Sequence, residues 1–268
     1  MKKILIVGAG AMGAAFSIPL IDNGHSVALT EPYNLKLLKK LNSKKKYHPS
    51  LNINLPKKLK INKFSSDILN RNWDLIVIAV SSIGIDLIGK NLSKIKNKSP
   101  ILVLTKGLKL DGRNLISMSS LLRKYNKNLN ISVLKGPCLA KELAKKVKSF
   151  TVVANKNINT AKKIGKLIST NYYQTEFSRD VNGVEFLSAI KNIYSMIIGA
   201  GQWHNTSSAL FRKSIDEMKY LANYFKGKKE TVYGLAGLGD LYVSAMGGRN
   251  SKMGEYLGKG YTFTQAKK

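Results

Sequence analysis

Short apolar runs recur along the first part of the chain: Lys3–Val7 (KILIV), Val27–Leu29, Asp74–Val80 (DLIVIAV), Pro100–Leu104 (PILVL), Ile131–Leu134 (ISVL) and Thr151–Ala154 (TVVA). They are continuous rather than alternating and rich in β-branched residues, which predicts strands buried on both faces. Between them lie segments of helical or loop character, such as Ala14–Ile21, Leu115–Tyr125 and Ala140–Val147. This rhythm predicts an α/β fold built on a doubly wound, Rossmann-type parallel sheet, with ligands at the C-terminal ends of its strands. From about Val181 the period changes. Val184, Leu187, Ile190, Tyr194 and Ile197–Ile198 recur at helical spacing, as do Leu210, Phe211, Ile215, Met218, Leu221, Ala222 and Phe225. A smaller all-helical domain is therefore expected behind a boundary near Ser178, giving residues 1–178 and 179–268.

The first strand runs directly into Gly8-Ala9-Gly10-Ala11-Met12-Gly13, a complete G-x-G-x-x-G followed by a helix that Asn23-Gly24 should stop. Gly8 would permit the tight turn, Gly10 close approach of backbone to a pyrophosphate, and Gly13 close packing of helix on strand. The phosphates would then meet the free N–H groups and positive dipole end of the helix. Glu31 closes the second strand, where a carboxylate accepts from the adenosine ribose hydroxyls of NAD and repels the extra phosphate of NADP. The expected cofactor is NAD, favoured by Glu31, or NADP. The same glycines, with Ser17 and Pro19, argue against reading Met1–Ile21 as a signal peptide or membrane span, despite Lys2-Lys3 and the apolar run that follows. No membrane insertion and a cytoplasmic location are expected.

Composition changes that picture in one respect. The 268 residues carry 45 basic and 15 acidic side chains, a formal net charge of +30. Such a balance suggests nucleic acid or an anionic membrane. However, 39 of the cations are Lys and only 6 are Arg, and they are spread over helix faces and loops such as Leu35–Lys46, Lys90–Lys98 and Lys141–Lys148. Phosphate-clamping surfaces favour the planar fork of Arg, so no specific nucleic-acid partner is expected. A positive surface still attracts small anionic substrates. The single cysteine, Cys138, cannot form an internal disulfide, and no Cys/His cluster has metal-ligand spacing, so no metal is expected.

Several later segments share an order that carries a resemblance: Thr105-Lys106-Gly107-Leu108, Gly136-Pro137 with Ala140-Lys141-Glu142-Leu143, Ala189-Ile190-Lys191-Asn192, and Gly234-Leu235-Ala236-Gly237-Leu238-Gly239-Asp240-Leu241 with Arg249-Asn250. Together with the glycine turn, they closely resemble the soluble NAD(P)-dependent glycerol-3-phosphate dehydrogenases over the whole chain. The resemblance implies reduction of dihydroxyacetone phosphate to sn-glycerol 3-phosphate, feeding phospholipid synthesis. It implies that Lys191 is the catalytic proton donor and acceptor, and that Lys106 lies beside both substrate and nicotinamide. Gly136 and Cys138 fall on substrate-loop positions, and Ala140 on a cofactor contact. Asp240 takes the family's acidic position, Arg249 and Asn250 hold the substrate phosphate, and Ala11 and Met12 offer backbone to the cofactor.

Physical chemistry supports these roles. Hydride reduction of a ketone develops an alkoxide, which needs a nearby cation and a proton. Lys191 lies in an apolar stretch with no carboxylate beside it in sequence, so desolvation and a second cation such as Lys106 should lower its pKa. Asn192 can orient the carbonyl, Asp240 can direct the lysine, and Arg249 among Gly247, Gly248 and Asn250 offers a fork for phosphate. Blander roles are a snorkelling Lys191, an Asp240 that only caps a helix starting at Leu241, a Cys138 that is an apolar filler, and a His204 in a loop.

The chain departs from the family at Cys138, where a hydroxyl residue is usual, at Ser207 for arginine and at Gly248 for serine. Relatives continue past Lys268 with a Val-x-Glu-Gly segment and closing helices, so the chain reads as lacking the C-terminal end. Under-covered apolar faces are then expected, and with them low stability, aggregation or a partner chain, a homodimer included. The alternatives are another β-hydroxyacid-type dehydrogenase, or a dinucleotide-binding protein without turnover.

Overall fold

The computed structural model describes residues 1–95 and 98–267. Lys96, within the lysine run 90–98, and Lys268 lie outside the described residues. Two compact units emerge: residues 1–134 with 138–179, and residues 135–137 with 180–268.

In the first unit an eight-stranded sheet forms from β1 (Lys3–Val7), β2 (Ser26–Glu31), β3 (Lys60–Lys63), β4 (Leu75–Ile78), β5 (Ile101–Val103), β6 (Ile131–Lys135), β7 (Ser149–Ala154) and β8 (Tyr173–Ser178). Its order is β8-β7-β6-β5-β4-β1-β2-β3, and it reverses direction at β1. The pairs β3–β2, β2–β1, β1–β4, β4–β5, β5–β6 and β7–β8 are parallel. Ile4–Val7, Leu75–Ile78 and Ile101–Val103 are fully buried, as their unbroken apolar runs require. The helices of this unit are α1 (Ala11–Asp22), α2 (Leu35–Leu41), α3 (Ser66–Asn70), α4 (Ile85–Leu92), α5 (Met118–Tyr125), α6 (Ala140–Ala144) and α7 (Ile158–Ile168). α1 packs with α6 and α7 as one group, and α4 with α3 and α5 as another.

Three details differ from the sequence reading. β3 and β8 were not anticipated, because they are edge strands with mostly polar, half-exposed side chains, which suits an edge but hides the apolar signal. The segment Leu115–Tyr125, read as helical or loop, is helical only from Met118; Asn114–Ser117 pair antiparallel with Leu108–Asp111. The turn between them contains Gly112 at φ +60°, and the exposed Leu110 and Leu115 face each other across the hairpin. α6 stops at Ala144 rather than Val147, where Lys146 adopts φ +60°.

The second unit takes in residues 135–137, of which Lys135 ends β6, and is otherwise built from helices: α8 (Val181–Ala200), α9 (His204–Tyr224), α10 (Asp240–Ala245), α11 (Arg249–Gly258) and α12 (Phe263–Ala266). Asp180 starts α8, accepting from the Gly183 N–H at 2.9 Å, the Lys228 N–H at 2.8 Å and the Thr231 hydroxyl at 2.6 Å. α8 and α11 cross at Gly199 and Gly254, where a Cβ would run into the carbonyls of Ser251 and Met196. His204 opens α9 rather than lying in a loop. Large apolar side chains stay exposed here, among them Trp203, Tyr220, Tyr224, Met246 and Phe263. Among the described residues no helix is long and apolar enough to cross a membrane.

Candidate active site

The glycine turn lies at the C-terminal end of β1, beside the point where the sheet order reverses, the ligand-binding edge of a doubly wound fold. Gly8 has φ +109°, and a Cβ there would sit 2.7 Å from the carbonyl carbon of Ala79. A Cβ on Gly13 would strike the Gly8 carbonyl, so strand and helix pack at glycine-only distance. Gly10 differs: it is exposed, and open space surrounds its Cβ position. It serves as N-cap of α1, which begins at Ala11 rather than Ala14, with no side-chain cap and no acidic residue in its first turn. A twelve-residue helix with uncovered N–H groups behind an approachable glycine suits a pyrophosphate. Ala11 and Met12, both half-buried, form that first turn.

Glu31 is 6% exposed and already engaged. One oxygen accepts from the Ala9 N–H at 2.7 Å, the other from the Tyr33 and Asn34 N–H groups at 2.9 and 3.0 Å. A carboxylate has about four lone-pair sites, so about one is left for a ribose hydroxyl. Lys106 follows β5 and is half-buried, next to Gly107 at φ +140°. Cys138 and Ala140 are half-buried and pack against the apolar core of the first unit.

In the second unit Lys191 is 7% exposed and Asp240 2%. The Lys191 Nζ donates to Asp240 Oδ1 at 2.6 Å and to the Ser244 hydroxyl, with a longer approach to the Asp240 carbonyl at 3.4 Å. The second carboxylate oxygen accepts from Ser188 at 2.9 Å, and Ser244 donates to the Asp240 carbonyl at 2.8 Å. Asp240 is thus the first residue of α10, yet its side chain serves the lysine rather than capping the helix. With a carboxylate oxygen 2.6 Å from its ammonium, Lys191 is one half of a buried ion pair.

Ser188 and Ser244 escaped the sequence reading. Helical spacing is the signal that could have found them: Ser188 is three residues before Lys191 on α8, and Ser244 four after Asp240 on α10.

Asn192 is half-buried on α8. Arg249, exposed, and Asn250 open α11, whose N-cap Gly248 supplies no side chain and follows Gly247 at φ +125°. Gly136, buried at φ +124°, precedes Pro137, and a Cβ on Gly239 would lie 3.4 Å from the Pro137 ring. The loop after β6 therefore approaches the Gly-rich π-helical stretch Leu235–Gly239 that leads into α10. A cavity of about 480 Å³ in this unit is lined by residues including Ile198, His204, Phe211, Tyr242 and Gly247, but by neither Lys191 nor Asp240.

A glycine turn at the switch point of a doubly wound sheet, followed by helices that bury a lysine–aspartate pair, defines a nicotinamide-dinucleotide-dependent dehydrogenase. The chain belongs to the NAD-dependent glycerol-3-phosphate dehydrogenase family: residues 3–161 match the family model for its N-terminus and residues 180–268 that for its C-terminus. It is 30% identical to the NADP(+)-dependent glycerol-3-phosphate dehydrogenase of Archaeoglobus fulgidus, over 98% of this chain and 82% of that protein. It is 32% identical to glycerol-3-phosphate dehydrogenase [NAD(P)+] of Francisella tularensis, over 100% of this chain and 82% of that one. The crystal structure of glycerol-3-phosphate dehydrogenase from Coxiella burnetii superposes with a TM-score of 0.87 at 27% identity, covering 99% of this chain and 83% of that one. D-mandelate dehydrogenase, at 14% identity and TM-score 0.61, shares the fold alone.

Proposed function

We propose that the protein reduces dihydroxyacetone phosphate to sn-glycerol 3-phosphate, with NAD, or NADP, as cofactor. The observation that carries this reading is the buried Lys191–Asp240 pair, 2.6 Å apart in a chain that also bears the glycine turn. In this reading residues 1–178 hold the dinucleotide through Gly8, Gly10, Ala11, Met12 and Gly13, with Ala140 as a further contact. The remaining acceptor site of Glu31 serves a ribose hydroxyl and favours NAD. Residues 179–268 hold the substrate and the acid–base group.

A bound nicotinamide would supply the hydride to the ketone carbon. Lys191 Nζ stands ready to give a proton to the oxygen as it becomes a hydroxyl, exchanging the long 3.4 Å approach to the Asp240 carbonyl for the substrate. Asp240 holds the ammonium in place, and Ser188, donating to the other carboxylate oxygen, fixes the carboxylate in turn. Asn192 orients the carbonyl, and Lys106 adds positive charge beside substrate and nicotinamide. Arg249 and Asn250 take the phosphate, aided by the first N–H groups of α11. Gly136 and Cys138 border the substrate. With Cys138 in place of a hydroxyl residue, the charge-assisted contacts at Arg249 carry more of the phosphate binding.

A cytoplasmic location, supply of glycerol 3-phosphate to phospholipid synthesis, a homodimeric assembly and the absence of specific nucleic-acid binding belong to the same reading. Purified protein should consume NADH or NADPH when dihydroxyacetone phosphate is added, and much less with an unphosphorylated 2-keto acid. Preference for the keto acid would assign another β-hydroxyacid-type dehydrogenase. Cofactor binding without consumption would leave a dinucleotide-binding protein.

A further inference from the structure

His48 is fully buried against the glycine turn. Its Nε2 lies 3.0 Å from the Ala9 carbonyl, and its Nδ1 lies 3.3 Å from the Leu51 backbone nitrogen. The Leu51 N–H can only donate, so Nδ1 is the acceptor; the neutral ring then carries its proton on Nε2 and donates to Ala9. The other side of the same residue is held too, since the Ala9 N–H donates to Glu31 at 2.7 Å. One residue earlier, the Gly8 N–H donates to the Thr30 carbonyl at 2.8 Å.

The consequence follows from peptide geometry. In a trans peptide the C=O and the next N–H point to opposite sides. Drawing the Ala9 carbonyl inward to His48 therefore turns the Gly10 N–H outward, at the exposed glycine that caps α1. We propose that His48 is a positioning residue for the dinucleotide: with Glu31 it clamps both backbone groups of Ala9, so that the glycine turn presents the Gly10 N–H to the pyrophosphate. This rests on the function proposed above.

The segment that carries His48 is built to hold it. Tyr47–His48 pairs with Ile53–Asn54, and Asn52 makes the intervening turn at φ +56°. The Lys46 ammonium donates to the carbonyls of Lys57 at 2.7 Å and Leu59 at 2.6 Å, closing the loop. Leu51, Leu55 and Leu59 are buried in the core beneath it. A histidine that merely filled space would not need its ring nitrogens matched to two backbone groups.

The test uses the full chain, with NADH titrated by fluorescence and steady-state rates measured while NADH and dihydroxyacetone phosphate are varied separately. His48→Leu removes the donor. His48→Gln restores an N–H at the reach of Nε2, and His48→Asn, a second variant in case His48→Leu does not fold, stops short of Ala9. The expected result for His48→Leu or His48→Asn is a rise of about tenfold in Kd and KM for NADH, the scale of one lost buried hydrogen bond. NADPH should shift in parallel, KM for dihydroxyacetone phosphate should stay within about twofold, and His48→Gln should recover most of the loss. Wild-type NADH affinity in both donor-less variants, or equal losses in all three, overturns the clamp alone. A fall in kcat and thermal stability with KM for NADH unchanged reduces His48 to a core residue. Failure of the wild-type protein to bind NADH overturns the proposed function and the clamp with it.

Discussion

Substituting Asp240→Asn keeps the shape of the side chain and removes only its charge. The partner it abandons is 93% removed from solvent, because Lys191 is 7% exposed, and the carboxylate itself is 2% exposed. Water therefore cannot replace the lost counter-ion. Breaking one side of such a pair costs about 3–5 kcal/mol. Other contacts survive the change: Ser244 still accepts from Lys191, the backbone carbonyl at 240 still accepts from Lys191 and Ser244, and Ser188 can still donate to the remaining amide oxygen. The expected loss is therefore near the lower end, about 3 kcal/mol, or about 6–12 °C in Tm for a chain of this size. Thermal unfolding followed by circular dichroism reads it. The double variant Lys191→Met/Asp240→Leu removes both charges and should be more stable than Asp240→Asn alone, since an apolar pair of similar volume leaves no buried ion unpaired. If Asp240→Asn lies within about 0.5 kcal/mol of the wild type, or the double variant is no more stable than the single, the buried pair is not what the geometry describes.

Two further outcomes are expected elsewhere in the first unit. Gly10→Ala meets open space at φ −60°, so folding stability should change by less than about 1 kcal/mol while NADH affinity falls, because the new methyl group stands where the phosphates approach; isothermal titration beside thermal unfolding checks both halves. At Asp22 burial acts to raise the carboxyl pKa, but hydrogen bonds from Lys146 and Tyr172 outweigh it and hold it below its ordinary value of 3.8. A depressed carboxylate contributes stability above pH about 4 and loses it as pH falls through the folded value, so Asp22→Asn should flatten the acid limb of a pH–stability curve from urea unfolding; an unchanged limb refutes it. With the pair partly exposed, the neutral-pH cost should stay under about 1 kcal/mol.

What could be read from the chain divides along physical lines. The central strands and the glycine turn were legible because burial on both faces leaves a continuous apolar run, and because Gly8 and Gly13 sit where any side chain would collide. The edge strands β3 and β8 were not, since half-exposed strands share their composition with loops. Lys191 stood out as a cation in an apolar helix, but its partner lies 49 residues away, and only the resemblance pointed to Asp240. Ser188 and Ser244 needed the helices α8 and α10 to be paired before their positions meant anything. His48 carried no motif at all: its role depends on a loop fold that brings it to Ala9 across 39 residues.

The most direct test replaces Lys191→Ala and follows NADH consumption with dihydroxyacetone phosphate. The wild-type chain should turn over, and the variant should lose about 10²–10⁴-fold in kcat, with NADH affinity within about twofold. A variant that reduces the ketone at the wild-type rate would contradict the assignment of the proton donor to the Lys191 ammonium.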